Sequence, residues 1–497
     1  MKNLFNSIKL TKPKTNVFDL SHDVKLSCDM GKLVPTMVLE CIPGDKFNIG
    51  CQSLIRMAPM VAPMMHNVNV YMHYFFVPNR ILWSNWEKFI TNDPEPHVAP
   101  FIDISVESTN YTNMMDYMGI PNPDLNVSVN SLRISALPIA AYNKIFNEYY
   151  RDQNLVSEEA WELVDGDNTG LINTEVLNRA WEHDYFTAAL PFAQKGQPVT
   201  IPMTGIDVAV KMEGTGPGGA SWSVAGGSGT AGVGVSPSDI PGFPTGELYA
   251  DTSQFQTSAT INDLRRAFRL QEWLEKAARG GSRYFENILM FFGKRSPDKR
   301  LQRPEYITGT VSPMVISEVL NTTGTTDLPQ GNMSGHGLSV TAGKYGYYDV
   351  EEHGYIIGIM SVMPKTAYFQ GLNRTWSKFD SMDYYWPPFA NIGEQEVKNK
   401  EVYAFTANDE DTFGYVPRYA EYKFMNSRVA GDFKTTLKTW HMAREFATPP
   451  SLNDVFVTSD PTTRIFAVED GVQHLWCHVY HSIRAVRAMP KYGNPSF

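Results

Sequence analysis

Cysteine is scarce in this chain: four among 497 residues, at positions 28, 41, 51 and 477, with no C-x-x-C pair. That spacing excludes a disulfide-stapled secreted scaffold and reads as buried, reduced thiols made in a cytoplasm. Long hydrophobic runs are missing too. No stretch of about 18 apolar residues exists, so no membrane insertion is expected. The N-terminal MKNLFNSIKLTKPK breaks every apolar pair with Lys or Asn, and export by a cleaved signal is not expected. The sequence also lacks a G-x-S-x-G elbow, an H-E-x-x-H pair, a P-loop and a nucleophilic cysteine context. No catalytic residue, cofactor or metal is therefore assigned.

What is present is material for a core: 42% of residues are hydrophobic and 12% aromatic, which excludes global disorder. The formal charge of −10 argues at first against a polyanionic partner, but it hides a segregation. Residues 93–184 hold sixteen acids against four basic residues, whereas 261–303 hold eleven basic residues against five acids. The N-terminal arm 1–15 and the C-terminal tail are basic as well, the latter through Arg484, Arg487 and Lys491. A chain so divided can face solvent with one region and a polyanion with the other; ordinary pairing between the two regions is the competing account.

Strand signals are numerous and scattered. Between Pro63 and Pro78, Val68, Val70, Met72, Tyr74 and Phe76 alternate with Asn69, Tyr71, His73, Phe75 and Val77. Both sets are large and mostly apolar, so this strand is buried on one face and covered on the other by a loop or another subunit. A short helical patch follows with Ile81, Leu82, Trp83, Trp86, Phe89 and Ile90. Further strands are expected over 205–212, 355–363 and 475–483, with no βαβ rhythm, which favours an antiparallel sandwich. One helix is legible over 260–281. Leu264, Ala267, Phe268, Leu270, Leu274, Ala277 and Ala278 share a side that must pack on the body, while Arg265, Arg266, Arg269 and Lys276 share the other, with Trp273 at its margin.

Three motifs invite a chemical reading. GTGPGG, residues 214–219, matches a phosphate-cradling turn, but more glycine follows it and no helix does. Asp165, Asp167 and Glu175 resemble the opening of a calcium loop; the twelfth position falls on Val176, so a turn is the better account. His474, Cys477, His478 and His481 resemble a metal cluster, yet in a strand His474 and His478 face away from Cys477 and His481.

Several blocks carry a resemblance: QSLIRMAPMVAPMMHNVNVYMHYFFVPNRILWSNWEKFIT (52–91), DYFTAALPFAQKG (184–196), TINDLRRAFRLQEWLEKAARGG (260–281), LQRPEY (301–306) and EHGYIIGIMSVMPKTAYFQG (352–371). In this order they closely resemble the major capsid proteins of the Microviridae, the small single-stranded DNA phages, and most of all the gokushovirus branch. The resemblance implies an all-β fold, an antiparallel eight-stranded viral jelly roll with long loop insertions containing several helices, in one subunit spanning 1–497. It implies sixty copies in a T=1 icosahedral shell around circular single-stranded DNA, assembled in the host bacterial cytoplasm and found in the virion. Expected partners are a small basic DNA-binding protein, an internal scaffolding protein, a DNA pilot protein and the host cell surface.

On that reading Arg265, Arg266, Arg269, Lys276, Arg484, Arg487 and Lys491 contact DNA phosphates without reading sequence, and Trp273 stacks on unpaired bases. The acidic 93–184 becomes a helical and loop insertion, and 260–303 a basic helix and loop. The Gly-rich 205–251 becomes a surface protrusion, with Gly214, Trp222, Gly226 and Gly234 as candidates for host attachment. The rivals are a secreted carbohydrate-binding or adhesive β-sandwich, which needs an export signal, and an intracellular enzyme, which needs a polar cluster.

Overall fold

The computed structural model describes residues 14–104, 111–123, 131–197, 199, 210–212, 248–250, 261–320, 333–468 and 471–492. The chain divides into two compact units, Met1–Ala193 with Gly280–Phe497, and Gln194–Arg279.

The first unit is built on two antiparallel sheets. Their strands are β1 (Asn16–Asp19), β2 (His22–Cys28), β3 (Val34–Cys41), β4 (Lys46–Met57), β5 (Val68–Pro78), β6 (Glu305–Pro313), β7 (Val315–Leu320), β8 (Met333–Ala342), β9 (Gly346–Asp349), β10 (Gly354–Pro364) and β11 (Leu475–Arg487). The four-stranded sheet runs β6-β5-β10-β3, and in the seven-stranded sheet the path β1-β11-β4-β8-β7 is joined by β2 on β11 and β9 on β4. Asp19 faces Arg484 and His22 faces His481, so β1 and β2 form one lane broken only at Leu20 and Ser21. Likewise β8 and β9 share the far edge of β4, where the register slips by one residue. Gly343 sits at that slip and donates its N–H to the Cys51 carbonyl at 2.6 Å. A Cβ at Gly343 would lie 2.2 Å from the same oxygen, so the bulge needs glycine.

Period-2 alternation places the core between these sheets. Cys477, Val479, Ile483 and Ala485 of β11 and Phe47, Ile49, Cys51 and Ile55 of β4 meet Val68, Val70, Met72, Tyr74 and Phe76 of β5 and Ile356, Met360 and Val362 of β10. All four cysteines are buried and free, as their sparse spacing predicted.

The opposite face of the four-stranded sheet is covered from within the chain. Helix α1 (Leu137–Ile145) carries Pro138 in its first turn, where the missing N–H costs nothing. It lays Ile139, Ala140, Tyr142 and Ile145 among Phe75, Val77, Ile357, Ile359, Leu82 and Trp83. The Tyr142 hydroxyl donates to the Leu33 carbonyl at 2.8 Å. The cover expected over β5 thus comes from the chain's own acidic segment, and the helical patch after Pro78 forms two short helices, Asn79–Leu82 and Trp86–Ile90.

A third cluster joins the DYFTAALPF segment to residues 367–457 through Tyr185, Phe186, Ala189, Tyr368, Val397, Phe413 and Phe456. Asp184 fixes that segment, since one carboxylate oxygen accepts the N–H groups of Phe186 and Thr187 at 2.8 Å and the other the Tyr368 hydroxyl at 2.7 Å.

In the second unit, helix α2 (Ile261–Arg279) forms as its periodicity predicts. Along it Ala277 and Ala278 are buried, whereas Leu264, Leu270 and Phe268, at 66%, are exposed. Val210–Met212 pairs antiparallel with Leu248–Ala250. The rest of the strand expected over 205–212 lies outside the described residues.

Candidate nucleic-acid and assembly surfaces

The basic stretch 261–303 separates into two groups of cations. On α2, Glu272 is shared by Arg269 at 2.6 Å and Lys276 at 2.7 Å, the i,i+3 and i,i+4 spacings of one helix face, and these hydrogen bonds hold its carboxyl below the usual range. Arg265 and Arg266 are exposed and have no ion-pair partner among the described residues. Trp273 is half exposed.

In the first unit, Glu148 of the acidic segment gathers Lys144 at 3.4 Å, Arg303 at 2.8 Å and Arg283 at 3.8 Å. Arg303 also reaches Asp298 at 3.2 Å and stacks its guanidinium 3.8 Å from the Phe285 ring centroid. Lys299 pairs with Glu351 at 2.8 Å. Pairing between the acidic and basic regions therefore uses Arg283 and Arg303, which are largely buried, while Lys294, Arg295 and Arg300 are exposed and unpaired among the described residues.

The C-terminal cations also divide. Arg484 is exposed on the outer face of β11 and Lys491 is exposed beyond it. Arg487 turns inward: its Nε lies 3.1 Å from the fully buried Asp45 carboxylate, and its guanidinium donates to the Glu40 carbonyl at 2.8 Å. Alternation along β11 already sets Arg487 on the inner face with Ile483 and Ala485 and Arg484 on the outer one, and the partners that hold Arg487 come from β3 and the turn before β4.

The motifs resolve into structural roles. Asp165 accepts from Trp83 Nε1 at 2.8 Å, Asn85 Nδ2 at 3.0 Å and the His97 ring at 2.9 Å. Its segment is a turn with positive φ at Gly166 and Gly170. His474 spends both ring nitrogens, on Asp29 at 2.7 Å and the Val468 carbonyl at 3.0 Å, and stacks on Phe466. Cys477 lies 3.9 Å from Cys28 within the core. Among the described residues no group of three His, Cys, Asp or Glu side chains is placed to hold a metal ion. Gly214, Trp222, Gly226 and Gly234, and residues 1–13 of the basic arm, lie outside the described residues.

An apolar surface that sequence reasoning missed runs through residues 372–425. Trp376 is 70% exposed, Phe379 89%, Met425 84% and Phe405 99%, with Tyr384, Tyr385, Trp386 and Tyr422 about half exposed. Parts of it are rigid. Tyr385 packs edge-on against Tyr419 at 4.9 Å, Trp386 Nε1 donates to the Ser381 carbonyl at 2.8 Å, and Lys378 lies 3.9 Å over Tyr422 while pairing with Glu421. The available signal was the aromatic density of SKFDSMDYYWPPF, which periodicity does not score because the segment holds only short 3-10 turns such as Ser381–Asp383 and Pro387–Phe389.

The described residues thus combine two antiparallel sheets with exposed aromatic side chains and unpaired cations. Comparison with known proteins specifies the family. A family described as "Capsid protein (F protein)" matches residues 7–497. Capsid protein VP1 of Chlamydia phage 1 is 35% identical over 100% of this chain and 98% of that protein. Capsid protein VP1 of Bdellovibrio phage phiMH2K is 35% identical over 99% of the chain and 96% of its own length. For capsid protein VP1 of Spiroplasma virus 4 the identity is 30%, over 96% and 94%. The chain belongs to this capsid protein family of the Microviridae, with gokushovirus relatives.

Proposed function

We propose that this chain is the self-assembling shell subunit of a small phage, its two sheets forming a viral jelly roll and sixty copies closing a T=1 icosahedron around circular single-stranded DNA. The observation that carries this reading is the 372–425 surface. One chain leaves Trp376, Phe379, Phe405 and Met425 in water, and so many large apolar side chains left exposed within some fifty residues are the mark of a surface completed by a partner. Identical copies related by symmetry supply that cover many times over from contacts that are individually weak.

The unpaired cations supply the second half of the reading. Arg265 and Arg266 of α2, with Arg484 and Lys491, are the members of the basic set best placed to neutralise phosphates without reading sequence. Arg269 and Lys276 join them at reduced net charge because Glu272 accompanies both. The Gly-rich 205–251 insertion serves as the exterior protrusion for host attachment, and a small basic DNA-binding protein, an internal scaffolding protein and a pilot protein complete the particle. Cryo-electron microscopy of material purified from expressing cells tests the reading: closed shells of sixty copies are expected, and a homogeneous monomer at micromolar concentration would refute it.

A further inference from the structure

The seven-stranded sheet packs only one face into the core, and its other face carries a groove of about 750 Å³ that no motif announced. Its floor is β11 with its two neighbours. Trp476, 49% exposed, faces Ser27 of β2 on one side and Arg56 of β4 on the other. One row along, His478 stands between Lys25 and Leu54. The wall is the short helix Asn113–Tyr117, and it is fixed: the Tyr117 hydroxyl donates to the Ser27 carbonyl at 2.8 Å and accepts from Gln473 at 2.8 Å.

Charge and shape select the occupant. Lys25 and Arg56 are exposed and have no ion-pair partner among the described residues, whereas the acids nearby are engaged, Asp116 by the Tyr111 hydroxyl at 3.1 Å and Asp23 by His478 at 3.1 Å. A half-exposed indole on a central strand, with Arg56 beside it and Lys25 one row along on the other side, matches an unpaired nucleotide, whose base stacks and whose flanking phosphates are neutralised. A base pair inside a duplex offers no open face to the indole. Tyr480 and Arg484 follow Trp476 at intervals of four residues on the same side of β11, which extends the track beyond one nucleotide. We infer that this groove is a single-stranded nucleic-acid site in which Trp476 is the stacking platform and Lys25 and Arg56 bind phosphate. The inference rests on the reading of the chain as a genome-enclosing subunit and adds the place where an unpaired strand is gripped.

The test uses full-length protein and a fluorescein-labelled oligothymidylate of about twelve nucleotides, followed by fluorescence anisotropy across a salt series, with particle formation scored separately by electron microscopy. Trp476→Ala is expected to weaken binding by roughly 5- to 100-fold while particles still form, with Trp476→Phe restoring most of it. The pair Lys25→Gln and Arg56→Gln is expected to lower the salt slope by about 1.4, or 0.7 for each phosphate no longer neutralised. A duplex of the same length should compete poorly. Unchanged binding by both variants in protein that still forms shells overturns the site and leaves the shell reading intact. Folded Trp476→Ala subunits that no longer assemble overturn it as well, because the face then belongs to a second copy. Should Trp476→Ala fail to fold, the exposed Lys25 and Arg56 pair decides alone. Wild-type protein that never forms particles counts instead against the shell reading.

Discussion

His481 and Tyr74 tie the two sheets together across the core: the His481 Nδ1 lies 2.8 Å from the Tyr74 hydroxyl, with the rings edge-on at 5.9 Å. The Nε2 of His481 donates to the Thr36 carbonyl at 3.1 Å, which makes Nδ1 the acceptor and the Tyr74 hydroxyl the donor. One ring from the C-terminal strand β11 therefore bonds groups on both β5 and β3, and burial at that place favours its neutral form.

Acid should therefore unfold the subunit before it titrates the surface carboxylates. Burial, reinforced by the nearby His22, lowers the His481 pKa to about 4, and burial with the charge of Arg179 does the same for His73. The unfolded rings titrate near 6.5. The native state binds fewer protons between those values, so this contribution is complete above about pH 6.5 and is lost as pH falls toward 4. The melting temperature, followed from pH 7.5 to 4, should fall across that window. Tyr74→Phe should lower stability by about 1–3 kcal/mol at pH 7 by stranding the Nδ1 acceptor. A flat profile between pH 6.5 and 4.5 would count against this role for the histidines.

Arg487 and Arg484 should separate cleanly under substitution. Arg487→Ala leaves the fully buried Asp45 carboxylate without its counter-charge and should cost about 3–5 kcal/mol, seen as a lower melting temperature or insoluble protein. Arg484→Ala, exposed on the same strand, should change stability by less than about 0.5 kcal/mol and register instead in the salt dependence of oligonucleotide binding.

Glu148 is the joint between the acidic insertion and the basic loop. Glu148→Ala removes the shared partner of Lys144, Arg283 and Arg303, and the Arg303 side chain, only 8% exposed, cannot recover water. Destabilisation of about 3 kcal/mol or more is expected in chemical denaturation. Glu148→Gln keeps the shape and some hydrogen bonding and should fall between the alanine variant and the parent. Equal stability of all three would show that the cluster is solvated in the assembled protein.

Phe379→Asp and Phe405→Asp probe assembly without touching the core. Both side chains stand almost wholly in solvent, so circular dichroism and thermal melting should stay within about 0.5 kcal/mol of the parent. Sedimentation should show slow species in place of closed particles. Normal particles from both variants would remove these two positions from the subunit contact.

The regular strands were the legible part of the fold. Val68–Pro78, Gly354–Pro364 and Leu475–Arg487 are found within a few residues of their alternating patterns, because a pleat with one buried face writes period 2 into the sequence. The two-sided burial of β5 was legible as well, since that strand is apolar on both faces. What covered the second face was not: α1 and residues 79–177 reach β5 from a distance that pattern does not encode. The charge segregation was visible, but its division into spent and available cations was not. Arg303 and Arg265 look alike in a string and differ only in whether Glu148 lies beside them.

Sequence by itself determined the chemical class of each region: an antiparallel β framework, reduced thiols, one acidic and one basic stretch, and blocks characteristic of a phage shell protein. Tertiary structure alone decided which side chains remain for partners. It buried Arg487 on Asp45, closed Glu148 over two arginines, and left Trp476 exposed beside Arg56 with Lys25 one row along. The reason is physical: alternation and composition are local properties of the chain, whereas the burial and pairing of a charge depend on residues hundreds of positions away that meet only after folding.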